Sequence, residues 1–440
     1  MNRIRVAISA VTETITAMPG VSDTLTADAN DVLVLWDRTP LLFIGGPGAD
    51  TVWANGYATV YGGAGPVTAT AVAGLLIGGA AGGNLLSGGL GSIMLVGRHD
   101  DTLVAGPGQS VIFSGLGSNM IDGYDAGSAL VVLGAGRDAV QLGGGQDYVF
   151  AGAGDATVNG FSTPGGREVV VGGAGQLSVV TGTGADQVWG GAGAVAVLAD
   201  AGGAGQVIAG GSGAMDIRLR DAPQALVLGG AATTVEAGVN LNAVVFGSAS
   251  ATGTTAITQN VAWNTATPDV GRGTMTVIGG AGTTSLTAES GSFVVFTGAG
   301  QTDVANARAG NLTLVASGSG ASTVELGDPV LEGRAQTTVF ETASAGAVTY
   351  TADFYGDTPG GGAAGTIANI YGFRAGVDHM LGTSPTYGYG PTNLDAHGHP
   401  APPPTTSDGS NSYLRLPNGT TIMFVGLPAL DPSAFVLHTS

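Results

Sequence analysis

The chain of 440 residues has no cysteine and no lysine, and only 10% of its residues are charged. Without cysteine there is neither a disulfide framework nor thiolate chemistry, so packing and hydrogen bonds must hold whatever forms. The 13 basic residues are all arginine and face 32 acidic ones, giving a net charge of −19. Nucleic acid is repelled by that balance, and no basic stripe reverses it. No run reaches the ~18–20 apolar residues that a membrane helix needs, so no membrane insertion by helices is expected. The opening MNRIRVAISAVTETITAMPG is interrupted by Thr12 and Glu13 and reads as a strand, not a cleaved signal peptide. An acidic surface suits a chain that meets divalent cations outside the cell, and equally suits plain solubility.

What the chain does have is glycine, 80 residues of it, within a composition that is 44% hydrophobic. Glycine at that level usually marks linkers, because it loses the most backbone freedom on folding. Here it alternates with Val, Leu, Ile and Phe, whereas disordered chains are poor in such residues. Residues 133–159 show the rule: LGAGRDAVQ, LGGGQDYVF and AGAGDATVN follow one another without a gap. The second and fourth positions are Gly134 and Gly136, then Gly143 and Gly145, then Gly152 and Gly154. The eighth is Val140, Val149 and Val158, while the sixth runs Asp138, Asp147, Ala156. Related units stand at 45–53 (GGPGADTVW), 105–122, 172–198 and, more loosely, from Gly282 to Gly320; between about 220 and 278 the period blurs.

Glycine pairs mark tight turns, and apolar side chains two apart mark short strands with one buried face. Repeated at constant length, strand and turn predict an all-β fold, a parallel β-roll or β-solenoid of nonapeptide-like repeats. The organisation expected is N-terminal strands or a cap over 1–44, the solenoid over 45–349, and a small C-terminal β domain over 350–440.

GGPGADTVW and TGTGADQVW (181–189) resemble GGxGxDxUx, the signature of RTX, or haemolysin-type, calcium-binding β-rolls. The resemblance implies two nonapeptides per coil and calcium held between turns by Asp side chains and backbone carbonyls from units two apart. On that basis the candidate metal residues are Asp50, Asn119, Asp125, Gly134, Gly136, Asp138, Gly143, Gly145, Asp147, Asp155 and Asp186. Spacing tests the idea: eighteen residues beyond Asp138 stands Ala156, and Asp50 and Asp186 have no motif Asp at that distance. Asn119 and Asp138 are two units apart, Asp147 looks back toward Asp125 or Ser128, and Asp155 is one place off the column of Asp138. Two readings stay open, namely one to three weak calcium sites around 119–155, or a roll held by apolar packing alone.

After residue 350 the composition shifts. IANIYGFRAGVDHMLG resembles the element that follows RTX repeats, carried by Ile370, Phe373, Gly376, Asp378 and Leu381. SYLRLPNGTTIMFVG reads as a hairpin, and LPALDPSAFVL is similar to the C-termini of proteins exported by type I secretion. The expected location is therefore extracellular or at the cell surface, with that secretion machinery as a partner.

No catalytic module accompanies the repeat. The histidines His99, His379, His397, His399 and His438 include no zinc-protease pair, and no Gly-x-Ser-x-Gly elbow occurs. Tyr371-Gly372-Phe373 is similar to the YGFDPH stretch of alginate epimerases, but Arg374-Ala375 replace its Asp-Pro. The few tryptophans are expected at core or edge positions. The leading expectation is a secreted, non-enzymatic structural protein that self-associates into fibre, layer or adhesive matrix. The alternatives are a monomeric calcium-dependent adhesin for surface glycans and a polysaccharide-active solenoid enzyme.

Overall fold

Strand segments of this chain point alternate side chains inward. In Gln146–Phe150 the buried pair is Asp147 and Val149, and Gln146, Tyr148 and Phe150 face outward. A computed structural model of the protein describes residues 7–8, 23–27, 32–35, 40–124, 126–160, 166–199, 205–219, 224–238, 241–259, 273–326, 336–353, 367–383, 405–415, 421–431 and 434–437. These form strands and turns, with no α-helix among them, and hence no helix long and apolar enough to cross a membrane.

Through most of the described repeat each strand pairs in parallel with the next but one. Arg137–Leu142 pairs with Asp155–Asn159, and Gln146–Phe150 pairs with Arg167–Val171. Two strands therefore make one coil, and alternate strands build two parallel sheets whose inner faces share an apolar core. The eighth-position valines and their register partners line up within it: Ile121, Val140, Val158 and Val179 on one sheet, Val131, Val149, Val170 and Val188 on the other. All eight are buried. The fold is the parallel solenoid that the repeat predicts.

The chain divides into two compact units, Met1–Gly213 and Ala214–Ser440. In the first, the pairing begins before the repeat does: Asp23–Ala27 pairs in parallel with Leu41–Ile44. In the second it outlasts the repeat. Ile367–Tyr371 joins Gln336–Glu341 on one side and Thr421–Val425 on the other, and His379–Thr383 joins Phe435–Leu437. The C-terminal region thus continues the roll's own pairing. Its departure is an antiparallel arrangement of Thr405–Ser407, Ser412–Arg415 and Thr421–Val425, which contains the expected hairpin. Where the glycine period blurs, register persists through inward apolar residues such as Val227, Val245 and Val277.

The glycines serve closeness more than unusual dihedral angles. Gly136 has a φ of +133°, but Gly152 needs no such exemption. A Cβ on Gly152 would sit 2.1 Å from the carbonyl oxygen of Gly134 in the adjacent coil, and one on Gly173 would sit 1.8 Å from that of Gly152. Backbone occupies the place of a side chain, coil after coil. Gly152→Ala is therefore expected to cost about 1–3 kcal/mol by forcing the coils apart. Gly166→Ala, whose Cβ would meet nothing nearer than 3.5 Å, is expected to be nearly neutral. Urea-unfolding midpoints of the two variants check this.

Candidate functional site

The sixth residue of a repeat is the first inward position after the turn, so its side chain lies against the backbone of the preceding coil. Asp138, Asp147 and Asp186 all occupy it and are buried. Each carboxylate accepts a backbone N–H from the coil before: Asp138 Oδ1 from Asn119 at 3.1 Å, Asp147 Oδ1 from Ala129 at 2.7 Å, Asp186 Oδ1 from Glu168 at 3.0 Å. Asp138 and Asp147 stand on different sheets, as adjacent repeats must, and they head two separate columns.

The first column is Asn84, Asp101, Asn119 and Asp138, separated by 17, 18 and 19 residues. Amide and carboxylate alternate. Asn84 donates its backbone N–H and its Nδ2–H to Asp101 Oδ1, at 2.8 and 2.7 Å. Asp101 Oδ2 accepts the backbone N–H groups of Arg98 and His99. Asn119 Nδ2 donates to Asp138 Oδ1 at 2.8 Å, and Ser114 Oγ donates to Asp138 Oδ2 at 3.1 Å. Asn119 keeps the two carboxyl groups two coils apart, and every side-chain oxygen of Asp101 and Asp138 has a protein donor. The Asn119–Asp138 pairing inferred from spacing is present, but the residues there do not fit a cation, because N–H groups already fill its place.

The second column differs. Asp147 is in register with Glu168, and Glu168 precedes Asp186 by one coil, followed by Gln206. Three carboxylates stand in consecutive coils with no amide between them and no basic partner. Asp147 Oδ2 and Glu168 Oε2 are buried without a hydrogen bond. Burial raises Glu168 to about 8, and the neighbouring Asp186 and Asp147 carboxylates add to the rise. Burial likewise raises Asp147 and Asp186. A proton or a cation is what this file requires, and its oxygens suit a hard divalent ion. Among the described residues no three His, Asp or Glu side chains converge to hold a metal as a group, so the arrangement is a file of carboxylates and not a closed cage.

The other candidates fall elsewhere. Asp50 is buried and accepts the N–H of Gly46 at 3.0 Å, but its register partner one coil on is Val67. Asp155 lies on the outer face in register with Arg137, 3.8 Å from its Nε. Asp125, His397 and His399 lie outside the described residues. Gly134, Gly136, Gly143 and Gly145 stand at coil turns where backbone passes close. Glu168, Asn84 and Asp101 escaped the motif search because their turns depart from Gly-x-Gly; an eighteen-residue step back from Asp186 reaches Glu168 and is the signal that finds it. Trp53 and Trp189 are not core residues, being 51% and 42% exposed.

In the second unit, the segment similar to the post-repeat element closes around a buried charge cluster. Arg374 Nε and Nη2 donate to Asp378 Oδ2 and Oδ1 at 3.0 and 2.8 Å, while its Nη1 and Nη2 donate to the carbonyls of Ala345 and Gly346. Tyr350 donates its hydroxyl to Glu341, whose other oxygen lies 3.5 Å from Arg374 Nε. Burial, with the Asp378 carboxyl beside it, raises Glu341 to about 8. Phe373 seals the cluster, 6.2 Å from the ring of Tyr350 and 5.1 Å from that of Phe424. Two carboxylates, a tyrosine and an arginine are an enzyme-like set, but both carboxylates are fully buried and the guanidinium is spent on protein oxygens. The cluster ties Arg374–Asp378 to the coil beneath it.

Glu168 binds its proton more tightly in the folded chain than in the unfolded one. Its stabilising contribution is therefore complete below about pH 4.5 and is lost as pH rises through about 8. With chelator present, Glu168→Gln is expected to stabilise the protein by on the order of 2 kcal/mol at pH 8.5 and to change little at pH 4.5. Thermal melts across that range test it. Arg374→Met leaves Asp378 and Glu341 without their cation and is expected to cost about 3–5 kcal/mol in denaturant unfolding.

Compared with family models, with curated proteins and with solved structures, the chain gives no match in any of the three.

Proposed function

We propose that the chain is a secreted, non-enzymatic structural protein, a β-solenoid that self-associates into a fibre, surface layer or adhesive matrix at or beyond the cell surface. The observation that carries this reading is where the reactive groups lie. Among the described residues, the carboxyl groups with raised pKa values are turned inward and bind one coil to the next, and the sheets present outward a surface built from stacked rungs. Periodic surfaces suit periodic partners, whereas catalysis needs convergent groups that a substrate can reach.

Calcium enters as an assisting ion. Asp147, Glu168 and Asp186 are the residues that would hold it, and it would supply the countercharge that their file lacks. The acidic, cysteine-free composition and the resemblance of the C-terminus to exported proteins support type I secretion. A second reading, a monomeric glycan-binding adhesin, is favoured by exposed Trp53 and Tyr57, whose rings are free to stack on sugars.

Negative-stain microscopy and size-exclusion chromatography, each with calcium and with chelator, test the proposal. Ordered assemblies that loosen on chelation are expected. A monomer indifferent to calcium would overturn the reading, and glycan-array binding by that monomer would establish the adhesin instead.

A further inference from the structure

The outer faces of the two sheets in the first unit differ in chemistry. On the sheet containing Arg137–Leu142 the outward side chains are mixed, with Met120 56% exposed, and polar pairs run between rungs: Arg137 faces Asp155, and Asn159 Nδ2 donates to Gln141 Oε1 at 3.0 Å. On the sheet containing Gln146–Phe150 an apolar ladder runs from rung to rung in register. Phe113, Val132, Phe150, Val171 and Trp189 succeed one another, aromatic alternating with β-branched. Phe113, Phe150 and Trp189 are each about two-fifths exposed, at 39%, 42% and 42%. Among the described residues of this sheet, Arg167 is the one ionised side chain that faces outward. The second unit carries a ladder of the same kind, with Phe246, Phe296 and Phe340 on alternate rungs.

We infer that this aromatic ladder is the surface through which two copies of the chain pack, sheet face against sheet face. The inference rests on the self-associating reading above and names the contact. Three observations select a second copy as occupant. Aromatic knobs on every second rung leave hollows between them, so the ladder is complementary to itself when one copy slides by a rung, as aligned sheets do when their side chains interdigitate ~10 Å apart. Rungs stand ~4.8 Å apart, so from Ile44 to Trp189 the ladder and its flanking column expose on the order of 700 Å², close to the ~800 Å² that each partner buries in a standard interface. Finally, copies bearing a charge of −19 repel one another wherever carboxylates meet, and this face has none. An anionic bilayer fits poorly, because a single cation, Arg167, accompanies the apolar strip among the described residues.

Sedimentation velocity of the full chain over a concentration series tests this. The wild type is expected to sediment as a dimer or larger. The triple variant Phe113→Glu/Phe150→Glu/Trp189→Glu is expected to sediment as a monomer, with at least tenfold weaker association and an unchanged circular dichroism spectrum. The same charges on the other sheet, Ala139→Glu/Thr157→Glu/Ala196→Glu, should leave association intact. If the triple variant does not fold, single cysteines in this cysteine-free chain replace it. Phe150→Cys should then give an intermolecular disulfide and Thr157→Cys should not. Association of the folded triple variant at wild-type strength, or no disulfide from Phe150→Cys, would overturn the ladder while leaving self-association standing. A wild type that is monomeric throughout would overturn both, and a monomer that floats with neutral phosphatidylcholine vesicles would give the face to lipid.

Discussion

Backbone lies against backbone from coil to coil along the glycine turns of the repeat, and that closeness governs the rest. Parallel strands a rung apart satisfy their N–H and C=O groups from the coils above and below. The corners must close to the same distance, and they do so by omitting side chains. A Cβ on Gly134 would stand 1.5 Å from the carbonyl oxygen of Gly115, and one on Gly193 would stand 1.9 Å from that of Gly175. A glycine-rich composition that elsewhere signals a loose chain here signals a tightly stacked one.

Charge inside the roll is handled in two ways. In the column Asn84–Asp101–Asn119–Asp138, Asn119 separates the two carboxyl groups, Asn84 donates to Asp101 and Asn119 donates to Asp138, so the column is satisfied by hydrogen bonds from within the protein. In the column Asp147–Glu168–Asp186 no amide intervenes, burial is as complete, and proton affinity rises. Like charges a rung apart in a dry interior cannot all remain ionised without a countercharge. The first column is structural by its own chemistry. The second is where a change of pH is expected to act on stability.

The outer faces separate in the same way. One sheet carries polar pairs such as Asn159–Gln141 among its exposed positions, beside isolated apolar ones such as Met120. The other sets aromatic and β-branched side chains in register along its length, a greasy face of a kind that soluble monomers rarely leave uncovered. Apolar residues at the ninth place of successive repeats, such as Phe113 and Phe150, look like mere excess hydrophobicity in the linear chain. Stacking turns them into a surface.

Period and composition alone determined the solenoid, because glycine tolerates contacts that no other residue can and alternating apolar residues have one way to share a core. They also determined that Asp138 and Asp147 lie on different sheets and that Asn119 approaches Asp138, since nine residues make half a coil. The coil-to-coil register only the tertiary structure decided. Inserted residues between Asn159 and Arg167 disguise the step that places Glu168 over Asp147, and coil geometry continues past residue 350 where the motif has gone. Whether a carboxylate meets an amide or another carboxylate depends on which residues stack, and stacking joins positions about eighteen apart that no local pattern links.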